Sequence, residues 1–176
     1  MFPLITVDSQ IWIYFFNPKA PEHANVFSWM RGDKKKRGAL FIDDVLLSSI
    51  IPVEVAHHLF KIPLQDKTIT NETIENALLD WLSWEKCHLD DIDSYLVLET
   101  VKVLTTGTSN GIGGRDALII ATMNRHGVQT IVTHDKNFLS LQDYKRIDPC
   151  FEEPLVLDIG VNFDQNQFRS KLKELD

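Results

Sequence analysis

The sequence predicts an α/β sandwich with a mostly parallel central sheet. Two short stretches, residues 4–7 and 128–132, are apolar over most of their length, as strands are when both faces of a sheet are covered. Helical stretches stand between the strands rather than in a separate block. Residues 113–138 then run as a helix, a tight stop, a strand and a carboxylate, and the chain is organised around them.

In that central unit, Leu118, Ile119, Ala121, Thr122 and Met123 leave little polar surface, so a helix from about Asp116 should be largely buried. Gly127 is the expected left-handed stop, with Arg125 and His126 in the last turn beside the negative helix end. A strand to Val132 follows, and Asp135 comes almost at once after it.

Taken from the start, Leu4 to Val7 is a strand ending at Asp8, which then leads into the hydrophobic run 11–16. A helix is expected from about Glu22 to Arg31, with Ala24, Phe27, Trp29 and Met30 facing the core. Residues 31–38 are basic between two glycines, either a solvated loop or a contact for an RNA backbone. A second strand lies within 39–48, and Ser49 with Pro52 announces a helix whose first turn holds Glu54. His57 and His58 are adjacent on that helix, about 100° apart, so they are poorly placed to share a metal. Thr70 or Asn71 starts an amphipathic helix through Ile74, Leu78, Leu79, Trp81 and Leu82. After a short strand at 87–89, a helix over 90–104 should bury Tyr95, Leu96, Leu98, Val101 and Leu104. The loop 105–114 precedes the central helix. A helical turn at 138–141, strands near 145–147 and 155–159, and a helix over 163–175 complete the chain.

Bulk properties narrow the function classes. With 176 residues, 44% hydrophobic and 24% charged, one soluble domain is expected. No apolar run approaches the ~20 residues of a spanning helix, and the N-terminus lacks the pattern of a secretory signal. Cys87 and Cys150 are too few for a disulfide framework and lack metal-finger spacing, so a reducing cytoplasm is expected. A net charge of −7 argues against a broad basic surface for nucleic acid. It leaves room for a nucleic-acid substrate held through metal on clustered acids.

Topology supplies that cluster. In right-handed β-α-β units, strand ends and helix starts share one edge of the sheet. Asp8 and Asp135 end strands, while Glu54 and Asp116 begin helices, so all four belong to that edge. Singly, Asp8 and Asp135 can be helix caps, and Glu54 and Asp116 can complement helix dipoles at ~0.3–1 kcal/mol each. Together they repel unless something neutralises them. An all-oxygen set suits magnesium or manganese, which activate water and stabilise in-line displacement at phosphorus. Thr133 offers a hydroxyl near the same edge or is simply a strand residue, and Arg115 either contacts phosphate or faces solvent.

These residues resemble a PIN domain, the metal-dependent ribonuclease fold that includes the VapC-like toxins of prokaryotic toxin–antitoxin pairs. The resemblance rests on the strand ending in Asp8, Pro52-Val53-Glu54-Val55, the helix 116–122, and Val132-Thr133-His134-Asp135 with Phe138. It spans roughly residues 3–148. It implies a three-layer α/β/α sandwich and a nuclease domain over 1–150. A strand/helix extension, 151–176, would pack on the same domain. It implies endonucleolytic cleavage of single-stranded or structured RNA at a Mg²⁺ or Mn²⁺ site. Asp8, Glu54, Asp116 and Asp135 match the acidic positions, with Thr133, Arg115 and Ser9 beside them toward substrate. An antitoxin partner and a homodimer are implied by the same analogy. Many toxin members carry an aspartate just before the phenylalanine of the last motif; here Asn137 stands there. The competing class is a PIN-like module that binds RNA or acts as a scaffold without catalysis. A haloacid-dehalogenase-like phosphatase would need a second aspartate where Gln10 stands.

Overall fold

The computed structural model describes residues 4–32, 37–62, 66–107 and 111–173. Strands β1 (Leu4–Val7), β2 (Asp44–Ser48), β3 (Cys87–Asp90), β4 (Thr130–Val132), β5 (Lys145–Asp148) and β6 (Leu155–Leu157) form one sheet in the order β3-β2-β1-β4-β5-β6. The pairings from β3 through to β5 are parallel, and β6 joins antiparallel to β5. Ile5, Thr6 and Val7 are buried in succession, as are Val45 to Ser48. Consecutive burial means that both faces are covered, which gives the three-layer α/β/α sandwich.

The helices are α1 (Ser9–Phe16), α2 (His23–Arg31), α3 (Ala39–Ile42), α4 (Ile50–Leu59), α5 (Asn71–Leu82), α6 (Ser94–Gly107), α7 (Gly114–His126), α8 (Lys136–Leu139) and α9 (Gln165–Lys173). Their ends follow side-chain chemistry. The Thr70 hydroxyl accepts from the Thr73 N–H at 3.1 Å and caps α5. Gly127 closes α7 at φ 66°, a left-handed position that glycine adopts without steric cost.

The strand expected within 39–48 is β2 at Asp44–Ser48, preceded by a helical turn at 39–42. Several sequence expectations need correction. On α2 the core side is Val26 and Met30, spaced i, i+4, while Ala24 and Phe27 are exposed. On α6 Leu96 is buried, whereas Tyr95, Leu98 and Val101 are each more than half exposed. Both helices carry apolar residues nearly all round, so periodicity alone does not fix which face turns inward. Leu79, expected inward on α5, is exposed, because the inward face of that helix is Ile74, Leu78 and Trp81. α6 also extends through Gly107, into the expected loop. α4 begins at Ile50, so Glu54 stands in its second turn. Ser49 does not cap α4, because its hydroxyl donates to the Asp90 carbonyl at the end of β3. Residues 33–36 of the basic stretch lie outside the described residues; Gly32 and Arg37 on either side are joined by an antiparallel bridge.

Chain segment 155–173 packs on the sheet. Arg146 on β5 is fully buried and donates to the carbonyls of Leu139, Asp158 and Val161 at 2.9, 2.7 and 3.0 Å. Phe168 of α9 joins Leu139 and Phe151 in a small second core.

Candidate active site

Strand order locates the site. From β1 the chain moves outward through β2 and β3, then crosses back to β4 and continues to β5 on the other side. β1 and β4 are therefore neighbours whose connections leave in opposite directions, and a crevice opens beyond their carboxyl ends. Asp8 follows β1 and Thr133 follows β4. The Asp8 N–H donates to the Val132 carbonyl at 2.9 Å, which fixes it beside β4.

Asp8 is 6% exposed and caps α1, accepting the Ser9 N–H at 2.7 Å, with the Ser9 hydroxyl at 3.3 Å from the same oxygen. Its other oxygen accepts the Thr133 hydroxyl at 3.0 Å. That hydroxyl in turn accepts the Asp135 N–H at 3.0 Å. Thr133 is fully buried and ties the two acids together through one hydroxyl. Asp135 caps α8 by accepting the Asn137 N–H at 2.8 Å.

Asp116 lies in the first turn of α7 and accepts the Gly113 N–H at 3.1 Å. Glu54 pairs with the exposed Arg115 guanidinium. Each acid is thus drawn to a local donor. Among the described residues, the four carboxylates do not form a group with three donor atoms mutually within 4.8 Å.

They are nonetheless close enough to act on one another. Burial pushes the Asp8 carboxyl up to about 6, with the charges of Asp135 and Asp116 adding to the rise and the Thr133 and Ser9 hydrogen bonds opposing it. Asp116 is raised in the same way, by burial first, then by Asp135 and Glu54, against the Gly113 N–H and Arg115. An anionic crevice of this kind suits a hard, oxygen-seeking divalent cation.

Sequence reasoning missed two features at this edge. The Asn137 amide donates to the Gly111 carbonyl at 3.2 Å, tethering α8 to the turn before α7. Gly111 has φ 81° there. A position read only as a missing acid is a strut. The second feature is a cluster one strand over. His134, next after Thr133, turns its Nδ1 to Asp148 at the end of β5, 2.8 Å away, with Cys150 beside them. The sequence carried no signal for it, because the three residues share no ligand spacing.

The family model of the PIN domain matches residues 5–143. No curated protein sequence matches the chain. Among solved structures, VapC20 of Mycobacterium tuberculosis, described as a Sarcin-Ricin loop cleaving toxin, aligns at TM-score 0.57 and 16% identity, over 77% of this chain and 92% of that one. VapBC2 of Rickettsia felis, bound to a DNA fragment from its promoter, aligns at 0.52 and 18%, over 81% and 96%. VapBC-1 of nontypeable Haemophilus influenzae aligns at 0.53 and 19%, over 82% and 97%. At these identities the likeness is one of fold.

Proposed function

The chain belongs to the PIN domain family, and from that premise we propose that it is a metal-dependent endoribonuclease acting on single-stranded or structured RNA. The observation that carries this reading is Asp8. It is a carboxylate buried at the topological switch point, and the nearby charges that act on it are those of Asp135 and Asp116. Evolution of a stable fold alone gives no reason to bury it among like charges.

In this reading Asp8, Glu54 and Asp116 hold Mg²⁺ or Mn²⁺, and Asp135 holds a second ion or orients the attacking water. When bound, such an ion supplies a Lewis acid and activates water for in-line displacement at phosphorus. Thr133 fixes the Asp8 carboxylate and the Asp135 backbone in register. Arg115, exposed and swivelled onto Glu54, is free to exchange that partner for a phosphate of the substrate. The VapC and VapBC structures support a toxin with an antitoxin partner, and a homodimer is proposed on the same analogy. Among the described residues no helix is long and apolar enough to cross a membrane. With both cysteines free, the compartment proposed is the cytoplasm.

The test is cleavage of a panel of labelled single-stranded RNAs with Mg²⁺, with Mn²⁺ and with chelator, wild type beside Asp116→Asn. Metal-dependent cutting that falls at least ~10³-fold in the variant, about 4 kcal/mol of transition-state stabilisation, is expected. Cutting that survives in Asp116→Asn rejects the assignment. Folded wild type inert under every metal favours a scaffold.

A further inference from the structure

We propose that His134, Asp148 and Cys150 form a second metal site, separate from the oxygen-only crevice and suited to a borderline divalent cation of the zinc type. One imidazole nitrogen, one carboxylate oxygen and one sulfur from these residues lie within 4.8 Å of one another. The elements that carry them are rigid. His134 continues β4, where the Thr133 N–H donates to the Ile147 carbonyl at 2.9 Å. Asp148 is the last residue of the neighbouring strand β5. Cys150 is held in the turn beyond it, its N–H donating to Asp148 Oδ1 at 3.0 Å and its carbonyl accepting the Asn25 amide at 2.9 Å.

The donor set is the reason for the ion class. Mixed nitrogen, sulfur and carboxylate ligands suit zinc and cobalt, whereas magnesium and manganese take oxygen. Asp148 and Cys150 are fully buried, and the His134 side chain is about one-tenth exposed. Its ring is packed by Tyr14, Phe151 and Phe168, with centroids at 6.2, 6.0 and 5.4 Å. Burial among aromatic rings strengthens such ligation, and three protein donors would leave a tetrahedral ion one position for a further donor. The half-buried Glu22 is near enough for its charge to act on both His134 and Cys150. The surrounding field therefore favours a cation.

Charge balances on binding. The thiol proton leaves to solvent, and the proton between His134 Nδ1 and Asp148 moves off, to solvent or to Nε2, so that a ring nitrogen and the carboxylate both have lone pairs for the ion. Asp148 and Cys150 then offer two negative charges to two positive ones. Without an ion the same three residues do not read as a nucleophile with its base, because burial and Asp148 push the Cys150 thiol far up; only a bound cation would hold the sulfur deprotonated. The ion would fasten the turn that carries Asp135 to the end of β5 and to the segment that starts α9's packing.

The proposal stands apart from the nuclease reading and is tested without activity. Metal-free full-length protein is titrated with Co²⁺. An oxygen-only site gives a weak spectrum, while a site with a thiolate adds an intense sulfur-to-cobalt charge-transfer band. The band is expected in wild type and in Asp116→Asn, bleached by Zn²⁺, and lost in Cys150→Ser. Zn²⁺ should also raise the melting temperature of wild type and not of Cys150→Ser. Absence of the band in wild type overturns the proposal, whatever the variants do. So does a band that survives in folded Cys150→Ser and disappears in Cys87→Ser. Should Cys150→Ser not fold, His134→Gln takes its place, and a wild-type-like band in it overturns the assignment.

Discussion

Asp8 and Asp148 are both buried aspartates at the carboxyl edge of one sheet, on the strands that flank β4. Consecutive residues after β4 serve them: Thr133 donates to Asp8 and His134 contacts Asp148. Adjacent residues of an extended segment point to opposite faces, so one short stretch supports two different sites. Around Asp8, hydrogen-bond donors share the space with other carboxylates. Around Asp148, an imidazole and the Cys150 N–H close the shell. The lesson is that burying an acid has two outcomes. Left among like charges it is held at a cost to stability and stays ready for a cation from solution. Beside an imidazole and a backbone donor, it is held in place as one of the three donors of the proposed second site.

The largest effect that separates the two concerns Asp8→Asn. Cleavage should fall by ~10³-fold or more, yet the variant should be more stable than wild type at pH 7 in chelator. The sign follows from the titration. The folded-state value of about 6 lies above the ordinary 3.8, so between them the folded protein binds more protons than the unfolded chain. Wild-type stability therefore declines as pH rises from about 4 to about 6, by up to about 3 kcal/mol. Asparagine removes that decline, less ~1 kcal/mol for one hydrogen bond no longer accepted. Asp116, also raised, adds to the decline in both proteins. Urea midpoints measured from pH 4 to pH 8 check this, and parallel profiles for the two proteins would break the comparison.

Next in size is Arg146→Met, on the same strand as Asp148. Three carbonyls, that of Leu139 buried and those of Asp158 and Val161 partly so, lose their donor, and a loss of about 2–4 kcal/mol is expected, read by urea denaturation. Segment 155–173 should gain amide exchange before the strands β1 and β2 do. Equal exchange throughout would show that the segment is no separate layer of stability.

The smallest effect is expected at Arg115→Ala. Its ion pair with Glu54 is solvent-exposed on the arginine side, so unfolding free energy should change by less than ~1 kcal/mol. The RNA KM should rise several-fold with kcat nearly kept, and the salt dependence of binding should lose about one phosphate contact. A fall in kcat with unchanged KM would assign Arg115 to the chemistry instead.

Much was legible in the sequence because it is local. Gly127 can stop α7 since a left-handed residue is strained for other side chains. Asp8 and Asp135 can be placed on one edge because each follows an apolar strand, and the handedness of β-α-β units does the rest. Helix faces were less legible. α6 has apolar residues on most sides, so burial of Leu96 and exposure of Tyr95, Leu98 and Val101 depend on how it packs with α7.

The sequence by itself determined the alternation of strands and helices, the parallel sheet and the acids at its edge, because periodicity, caps and connection handedness act over a few residues at a time. Only the tertiary structure decided what each acid touches. Thr133 reaches Asp8 from 125 residues away, and Asn137 braces Gly111 across 26. His134 meets Asp148 only because β4 and β5 lie side by side. Such contacts are set by strand order and register, which no local spacing records.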